Sequence, residues 1–313
     1  MIILNLDKEC HLEQKIINGK FIASSIRRQI AYSVSEMRTK HGVTPGLAVL
    51  LIGDDPGSQI YVKNKVRACE EAGILSKVIE MPADTSLEES IEVICSLNTN
   101  PKYHGILLQL PVPKHLDENL LIETINEYKD VDGLHPLNMG LLMAGRPRFI
   151  PATPLAVKEL LMRENCAIAG KHIVICGRSN IVGKPLSSLL MQKTEGANAT
   201  VTVCHTGTED LMKITRQADI LISAMGQPGI ISENMVKSGI TIIDVGINRL
   251  SSTTRNGKTV LKGDVDFDSV LPKVSRITPV PGGVGPVTIA MLLRNTIDAA
   301  RYYIHPELED HVE

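Results

Sequence analysis

A tyrosine and a lysine four residues apart, Tyr61 and Lys65, form the first candidate chemical pair of this chain. In a helix this spacing puts both side chains on one face. A phenol beside an ammonium group can share a proton with it or change its pKa, so the pair suits proton transfer. A single match of this kind is more often an exposed surface pair, so it needs support from the rest of the chain.

Two further polar residues stand where chemistry is possible. Gln109 interrupts the apolar run of residues 105–113, and an amide in a buried strand needs a hydrogen-bond partner unless it points from the strand end into a cleft. Asp132 follows a predicted helix and could be presented from a loop. The alternative for Asp132 is a residue that simply forms a turn.

A glycine-rich turn from Gly177 to Gly183 lies between a predicted strand and a predicted helix. It reads G-x-S-x-x-x-G, a variant of the dinucleotide fingerprint, and backbone N–H groups at such a helix start favour a pyrophosphate. NAD-specific sites place an acid after the second strand, whereas this chain has His205 and Thr206 there. Because the Arg178 guanidinium can bind a 2′-phosphate through two donors, the pattern favours NADP over NAD.

The order of these features separates two classes of enzyme. Short-chain dehydrogenases also use a Y-x-x-x-K pair, but downstream of their dinucleotide turn. Here Tyr61 and Lys65 come more than 100 residues before Gly177, which argues against that class. Glycine-containing segments at residues 224–226 and 244–246 end predicted strands, and residues 281–286 form a loop that leads into the last predicted helix. Together we expect them at the carboxyl ends of parallel strands, where ligands bind.

Two alternating series of elements must position these residues. Hydrophobic periodicity predicts strands over 47–52, 77–81, 105–110, 171–176, 200–204, 219–223 and 240–245. It predicts helices over 21–37, 57–72, 86–98, 183–193, 208–217, 232–238 and 286–304. Strands that alternate with helices indicate parallel sheets. A Pro- and Gly-rich stretch over 136–154 marks a candidate boundary between two domains, and Asn256-Gly257 is a hairpin signal.

Composition excludes several functional classes. With 313 residues, 43% hydrophobic residues and 22% charged ones, the chain can bury a core and is not disordered. A net charge of −2 and the near absence of aromatic residues argue against nucleic-acid binding. No apolar stretch approaches a membrane span, and neither a secretory signal nor a metal-binding Cys/His spacing is evident. We therefore expect a cytoplasmic protein that requires no metal.

Five motifs taken together resemble one family. They are S-x-x-Y-V-x-x-K, G-I-L-L-Q-L-P-V-P, K-D-V-D-G, G-R-S-x-x-V-G-x-P and P-G-G-V-G-P, and they occur in the family's order between about residues 17 and 303. The family is the bifunctional methylenetetrahydrofolate dehydrogenase/methenyltetrahydrofolate cyclohydrolase. The resemblance implies NADP-dependent oxidation of 5,10-methylenetetrahydrofolate and hydrolysis of the methenyl product to 10-formyltetrahydrofolate, in one-carbon metabolism and purine biosynthesis.

The resemblance also implies roles for individual residues. Lys65 would be the central cyclohydrolase residue, supported by Tyr61 and hydrogen-bonded by Gln109, while Asp132 would bind the pterin. Substrate-binding residues would be Tyr61, Ser58, Pro111, Asp132, Gly282, Gly283 and Pro286. Cofactor-binding residues would be Gly177, Arg178, Ser179, Gly183, His205, Thr206, Gly246 and Ile247.

We therefore predict an α/β fold of two domains: an N-terminal α/β substrate domain and a Rossmann-like parallel-sheet dinucleotide domain. Residues 1–153 would form the folate-binding domain, completed by a C-terminal helix at about 286–305 that packs back on it, and residues 154–285 the NADP domain. The partners would be tetrahydrofolate derivatives and a second copy in a homodimer. The alternatives are a monofunctional relative that keeps one step and a non-catalytic dinucleotide-binding module.

Overall fold

The structure is a computed structural model, and it describes residues 14–250 and 260–307. Its helices are α1 (Gly19–His41), α2 (Pro56–Ala72), α3 (Leu87–Thr99), α4 (Glu118–Thr124), α5 (Pro136–Met143), α6 (Ala152–Arg163), α7 (Gly183–Leu190), α8 (Leu211–Thr215), α9 (Phe267–Val270) and α10 (Val284–Ile304). Its strands are β1 (Gly46–Ile52), β2 (Leu75–Met81), β3 (Gly105–Leu108), β4 (His172–Cys176), β5 (Thr200–Cys204), β6 (Ile220–Ser223), β7 (Thr241–Asp244), β8 (Asn248–Leu250), β9 (Val260–Lys262) and β10 (Arg276–Ile277).

The chain divides into two compact units. One unit contains residues 23–152 and 289 onward, and is called the catalytic unit below. The other contains the described residues up to 22 together with residues 153–288, and is called the cofactor unit. The helices α1 and α10 each have residues in both units.

The catalytic unit is built on a parallel sheet in the order β2-β1-β3. Every residue of the central strand β1 is buried, because helices can cover both faces of a parallel sheet and leave no face for water. Backbone pairing continues past β3 through an isolated parallel bridge between Ile106 and Asp130. The carboxyl ends of β1 and β3 and the residues after Asp130 therefore lie at the same edge of the sheet.

The last helix packs on the catalytic unit, which confirms that part of the predicted fold. Asn295 on α10 is buried, and its amide donates to the carbonyl oxygens of Val131 at 2.8 Å and Ile150 at 2.9 Å. The rings of Phe149 and Tyr302 meet edge to face, with centroids 5.9 Å apart. Buried backbone carbonyls need such donors. Helix α10 therefore completes the catalytic unit, although it is far from the rest of that unit in the sequence.

The cofactor unit has a five-stranded sheet in the order β10-β7-β6-β4-β5, with all neighbours parallel. The strand order reverses direction at β4, and glycine-containing loops leave the carboxyl ends of β4, β6 and β7. The predicted α/β fold with a Rossmann-like parallel sheet is therefore confirmed. Such a reversal point is where open α/β sheets bind their ligands.

The described residues before residue 23 belong to the cofactor unit, whereas residues 1–153 were expected to form one domain. Ile16 forms a parallel bridge with Ile277, and the Ile17 N–H donates to the Ile277 carbonyl at 2.8 Å. The reason is backbone pairing, because these residues continue the sheet at β10. The other division, between residues 152 and 153, lies one residue from the predicted boundary.

Several predicted elements are wrong in type or extent. The Pro- and Gly-rich stretch predicted as a connection contains α5 and the start of α6, since Pro136 is tolerated in the first turn of a helix. The helix predicted over 208–217 shortens to α8, and that over 232–238 is a single 3-10 turn, Glu233–Met235. Asn256-Gly257 lies outside the described residues, although the flanking strands β8 and β9 pair antiparallel.

None of the helices in the described parts of the chain is both long and apolar enough to cross a membrane. Within residues 14–250 and 260–307, no cluster of three His, Cys, Asp or Glu side chains could hold a metal ion.

Candidate active site

The catalytic unit brings Lys65 and Gln109 into direct contact. Helix α2 begins after β1, where the Asp55 carboxylate accepts from the Ser58 N–H at 2.7 Å and caps the helix. Lys65 lies on the third turn of this helix, one turn after Tyr61. Its Nζ donates to Gln109 Oε1 at 2.9 Å, and Gln109 Nε2 donates to the Leu110 carbonyl at 2.7 Å.

The position of Gln109 explains this contact. Strand β3 ends at Leu108, one residue earlier than the amide and not at residue 110 as predicted. The Gln109 N–H still donates to the Leu50 carbonyl at 2.8 Å, so the backbone remains tied to the sheet. The side chain thus leaves the strand end and satisfies its buried amide with a backbone carbonyl and an ammonium.

Asp132 is the third member of this group. Burial lowers the pKa of Lys65, and the carboxylate of Asp132 opposes that shift. Burial raises the pKa of Asp132 to about 6, opposed by the charge of Lys65. Desolvation therefore dominates for both groups. The pKa of each group is shifted toward neutral pH, where a proton donor or acceptor is most effective.

Neighbouring residues hold the loop of Asp132 in place. The buried carboxylate of Asp130 accepts from the His135 N–H and from Asn138 Nδ2, both at 2.8 Å. Gly133 has φ +69°, and a Cβ there would lie 2.8 Å from the Pro151 nitrogen. The sequence favours such a turn at Gly133. The hydrogen bonds that Asn295 donates to the nearby carbonyls of Val131 and Ile150 could not be predicted, because Asn295 is distant from both in the sequence.

The other predicted substrate-binding residues are divided between the two units. Ser58 is buried in the first turn of α2, and Pro111 is exposed after the end of β3. Gly282 and Gly283 lie instead in the cofactor unit, as does Pro286 in the first turn of α10. Gly282 has φ +108°, and its carbonyl accepts from the Lys20 N–H at 3.1 Å.

The glycine turn of the cofactor unit has the geometry of a phosphate cradle. Gly177 follows β4 with φ +135°, and a Cβ there would overlap the Ala224 carbonyl. A Cβ on Gly183 would overlap the carbonyl of Gly177. Both positions therefore require glycine. No side chain of the described residues caps α7 at Val182. Pro185 has no N–H and the Lys184 N–H donates to the Ser179 carbonyl at 3.1 Å, so the Gly183 N–H is the donor that this first turn can offer to an anion.

Polar residues with exposed side chains follow the neighbouring strands β4 and β5. Arg178 and Ser179 come after β4, and His205 and Thr206 come after β5. The paired ends of these strands place the two pairs at one edge of the sheet. Ser179 Oγ also accepts from the Val182 N–H at 3.1 Å, which closes the turn.

The loop after β7 is held by acids that sequence reasoning missed. Gly246 is buried, Ile247 beside it is exposed, and the Gly246 N–H donates to Asp244 Oδ1 at 3.0 Å. Burial raises the pKa of Asp244 to about 7. Asp264, completely buried, accepts hydrogen bonds from the same region. The Gly263-Asp264 pair in the sequence was the only signal for it.

These features define a class: a two-domain α/β protein with a dinucleotide-binding sheet in one unit and a lysine–amide–carboxylate group in the other. Family models support and narrow that class. The catalytic domain of tetrahydrofolate dehydrogenase/cyclohydrolase matches residues 17–132, and its NAD(P)-binding domain matches residues 151–304. The chain belongs to the tetrahydrofolate dehydrogenase/cyclohydrolase family, as the motifs predicted.

Individual relatives agree with this assignment. The bifunctional protein FolD of Dehalococcoides mccartyi is 51% identical over 286 residues, 91% of this chain and 96% of that protein. The crystal structure of FolD from Campylobacter jejuni has a TM-score of 0.85 and 46% identity, covering 92% of this chain and 99% of that one. FolD from Trypanosoma brucei, solved with NADP and an inhibitor, has a TM-score of 0.88 and 36% identity, covering 93% and 98%.

Proposed function

We propose that this protein is a bifunctional enzyme that oxidises 5,10-methylenetetrahydrofolate with NADP and hydrolyses the methenyl product to 10-formyltetrahydrofolate. The observation that carries the proposal is the hydrogen bond from Lys65 to Gln109 beside Asp132, in a chain of this family. Tetrahydrofolate derivatives are its substrates, and its role is in one-carbon metabolism, including purine biosynthesis.

The dehydrogenase step needs positioning more than acid–base chemistry. NADP, when bound, accepts the hydride that leaves the methylene carbon, and the remaining cation is delocalised over N5 and N10. No O–H or N–H proton leaves, so no dedicated base is needed. The Asp132 carboxylate would orient the pterin by accepting from its amino group and a ring nitrogen, with Tyr61 against the ring and Ser58 and Pro111 nearby.

The residues of the cofactor unit fit a phosphorylated dinucleotide. The left-handed turn at Gly177 and the Gly183 N–H at the start of α7 suit a pyrophosphate. The exposed Arg178 suits a 2′-phosphate, together with Ser179, His205 and Thr206. Further along the sheet edge, Gly246, Ile247 and the segment of Gly282, Gly283 and Pro286 would line the nicotinamide side.

The cyclohydrolase step needs a group that accepts and returns a proton, and Lys65 suits it. Addition of water to the methenyl carbon releases one proton, which a neutral amine can accept. Cleavage of the C–N5 bond then requires a proton at N5, and the hydroxyl on the carbon loses its own proton to form the formyl group. Burial favours the neutral amine by lowering the pKa of Lys65, and Gln109 Oε1 fixes its direction.

The test is a pair of separate assays on the variant Lys65→Met. We expect methenyl hydrolysis to fall by about 100- to 10,000-fold, the usual contribution of a positioned acid–base group, while NADP-dependent oxidation continues. The matched control is Lys63→Met, because Lys63 is exposed on the same helix. Normal hydrolysis by Lys65→Met would contradict the role of Lys65.

The wild-type assays decide between the proposal and its alternatives. A monofunctional relative would catalyse only one of the two steps, and a binding module would bind NADP without turning over folate. Rates with NADP and NAD, measured side by side, test the cofactor preference.

We further propose a homodimer through the cofactor unit and a cytoplasmic location. Exposed apolar side chains on β8 and β9, at Leu250 and Val260, support an interface there. Buried free thiols such as Cys69 and Cys176 suit a reducing compartment. Light scattering of the purified protein should give twice the chain mass, and a monomer mass would contradict the dimer.

A further inference from the structure

The side chain of Asp264 accepts hydrogen bonds from several parts of the cofactor unit. It is completely buried, and its carboxylate accepts five hydrogen bonds. On Oδ2 the donors are Ser223 Oγ at 3.3 Å, the Met225 N–H at 2.6 Å and the Gly226 N–H at 3.2 Å. On Oδ1 they are the Gln227 N–H at 3.0 Å and Asn248 Nδ2 at 2.9 Å.

These donors come from two segments at the carboxyl edge of the sheet. One is Ser223, the last residue of β6, with the loop 224–227 that follows it. The other is Asn248, the first residue of β8, at the end of the loop 245–247 that follows β7. Strands β6 and β7 are neighbours, and Ser223 pairs in register with Asp244 at their ends. A single carboxylate therefore ties together two loops at the edge where the glycine turn of Gly177 also lies.

Asp244 forms the reciprocal half of this arrangement. Its carboxylate accepts from the N–H groups of Asp264 at 3.1 Å and Val265 at 2.9 Å. A Cβ on Gly246 would overlap the Asp264 carboxylate, and a Cβ on Gly263 would overlap that of Asp244. Each acid thus occupies the space left by a glycine beside the other. The glycine at 246 is required by Asp264, and not only by the approach of a ligand.

We propose that Asp264 is a positioning residue of the dinucleotide site: its carboxylate holds the loops after β6 and β7 in the shape that binds NADP. The inference rests on the proposed function, because it assumes that NADP binds at this edge. Without the carboxylate, three consecutive N–H donors lose their acceptor, and the loops must turn toward water to satisfy them. A site ordered before binding loses less entropy when the ligand arrives.

The test is the variant Asp264→Asn in the full chain, with Asp266→Asn as the matched control. Asparagine keeps the shape but presents an amide donor to donors that need an acceptor. Asp266 is two residues away, and its side chain makes no hydrogen bond to the backbone at the start of α9. The readouts are the Kd and KM for NADP and, without NADP, hydrolysis of methenyltetrahydrofolate.

We expect Asp264→Asn to raise the Kd and KM for NADP by about tenfold or more, and Asp266→Asn to leave them within about twofold. Methenyl hydrolysis should stay unchanged, because Lys65, Gln109 and Asp132 belong to the catalytic unit. A folded Asp264→Asn protein with wild-type affinity would overturn the proposal, as would an equal loss in Asp266→Asn. Failure of the wild-type protein to bind NADP would instead defeat the proposed cofactor, and this inference with it.

A second measurement covers the case in which Asp264→Asn does not fold. Hydrogen–deuterium exchange of the NADP-free wild-type protein reports directly on the N–H groups of Met225, Gly226 and Gln227. We expect them to exchange at least about tenfold more slowly than unstructured amides, since the carboxylate holds them before any ligand binds. Exchange at the unstructured rate would overturn the proposal without any variant.

Discussion

The two units of this protein surround their buried acids with different partners. In the catalytic unit, Asp132 lies beside Lys65, and burial shifts the pKa values of both groups toward neutral pH. In the cofactor unit, burial also raises the pKa of Asp244, to about 7, but Asp244 and Asp264 accept hydrogen bonds from the protein's own backbone. We expect the acid beside the lysine to take part in chemistry and the backbone-bonded acids to shape loops for a ligand.

The difference follows from what each unit must do. Hydrolysis needs a group whose pKa lies near the pH of the solution, and partial burial of charged side chains shifts pKa values in that direction. Binding a pyrophosphate needs backbone N–H groups at a fixed spacing, and glycines permit that approach. We therefore expect changes in the two units to separate the two activities.

The largest effect should come from Gly177→Ala in the cofactor unit. The new Cβ would overlap the Ala224 carbonyl. Because this neighbour is a backbone atom, a side-chain rotation cannot relieve the overlap and the backbone must move. We expect the Kd for NADP to rise about a hundredfold, while methenyl hydrolysis is retained. Calorimetric titration with NADP and a hydrolysis assay measure the two sides.

The control for this variant is Gly170→Ala. Gly170 also has positive φ, +72°, but a Cβ there meets nothing within 4 Å, so it reports left-handed strain without a clash. A similar loss of NADP affinity in both variants would mean that strain, and not the close approach at Gly177, is responsible.

A pH titration of tetrahydrofolate binding should give the next largest effect. The pKa of Asp132 is about 6, so binding of tetrahydrofolate through its carboxylate should weaken below that pH, up to tenfold per pH unit. Calorimetry between about pH 5 and 8 measures it. Asp132→Asn should bind more weakly at neutral pH and lose this pH dependence.

Protonation of Asp132 does not itself destabilise the fold. The pKa of Asp132 is higher in the folded protein than the value of about 3.9 in an unfolded chain. Protonation of this carboxyl therefore favours the folded state as the pH falls through 6 toward 4. If Asp132→Asn kept the same acid dependence, another group would be responsible.

The smallest effect is expected from Asn295→Leu. This variant tests whether hydrogen bonds from a side chain to the backbone also stabilise the catalytic unit. The variant leaves the buried carbonyls of Val131 and Ile150 without their amide donor. We expect the free energy of unfolding to fall by about 1–3 kcal/mol, measured by urea titration. NADP affinity should not change, and a lower affinity would contradict the expectation that the two units act separately.

The amino-acid sequence predicted the parts of this protein that local patterns encode. Alternating apolar runs predicted the parallel sheets, and glycines predicted the turn at Gly177, because strand burial and left-handed backbone are local requirements. Five ordered motifs predicted the family, which the comparisons confirm. Local patterns failed in the stretch 136–154, which contains α5 and the start of α6, because proline is tolerated in the first turn of a helix.

Contacts between distant residues were decided only by the tertiary structure. The family resemblance implied the contact between Lys65 and Gln109, which are 44 positions apart, but its physical basis is tertiary, because α2 begins after β1 and Gln109 follows β3 at the same edge of the sheet. Asp264 looked like an ordinary acid in the sequence, and only the fold surrounds it with donors from the loop after β6 and from Asn248. The physical reason is that the pKa and the hydrogen bonding of a buried group depend on its neighbours in space, which local sequence patterns do not encode.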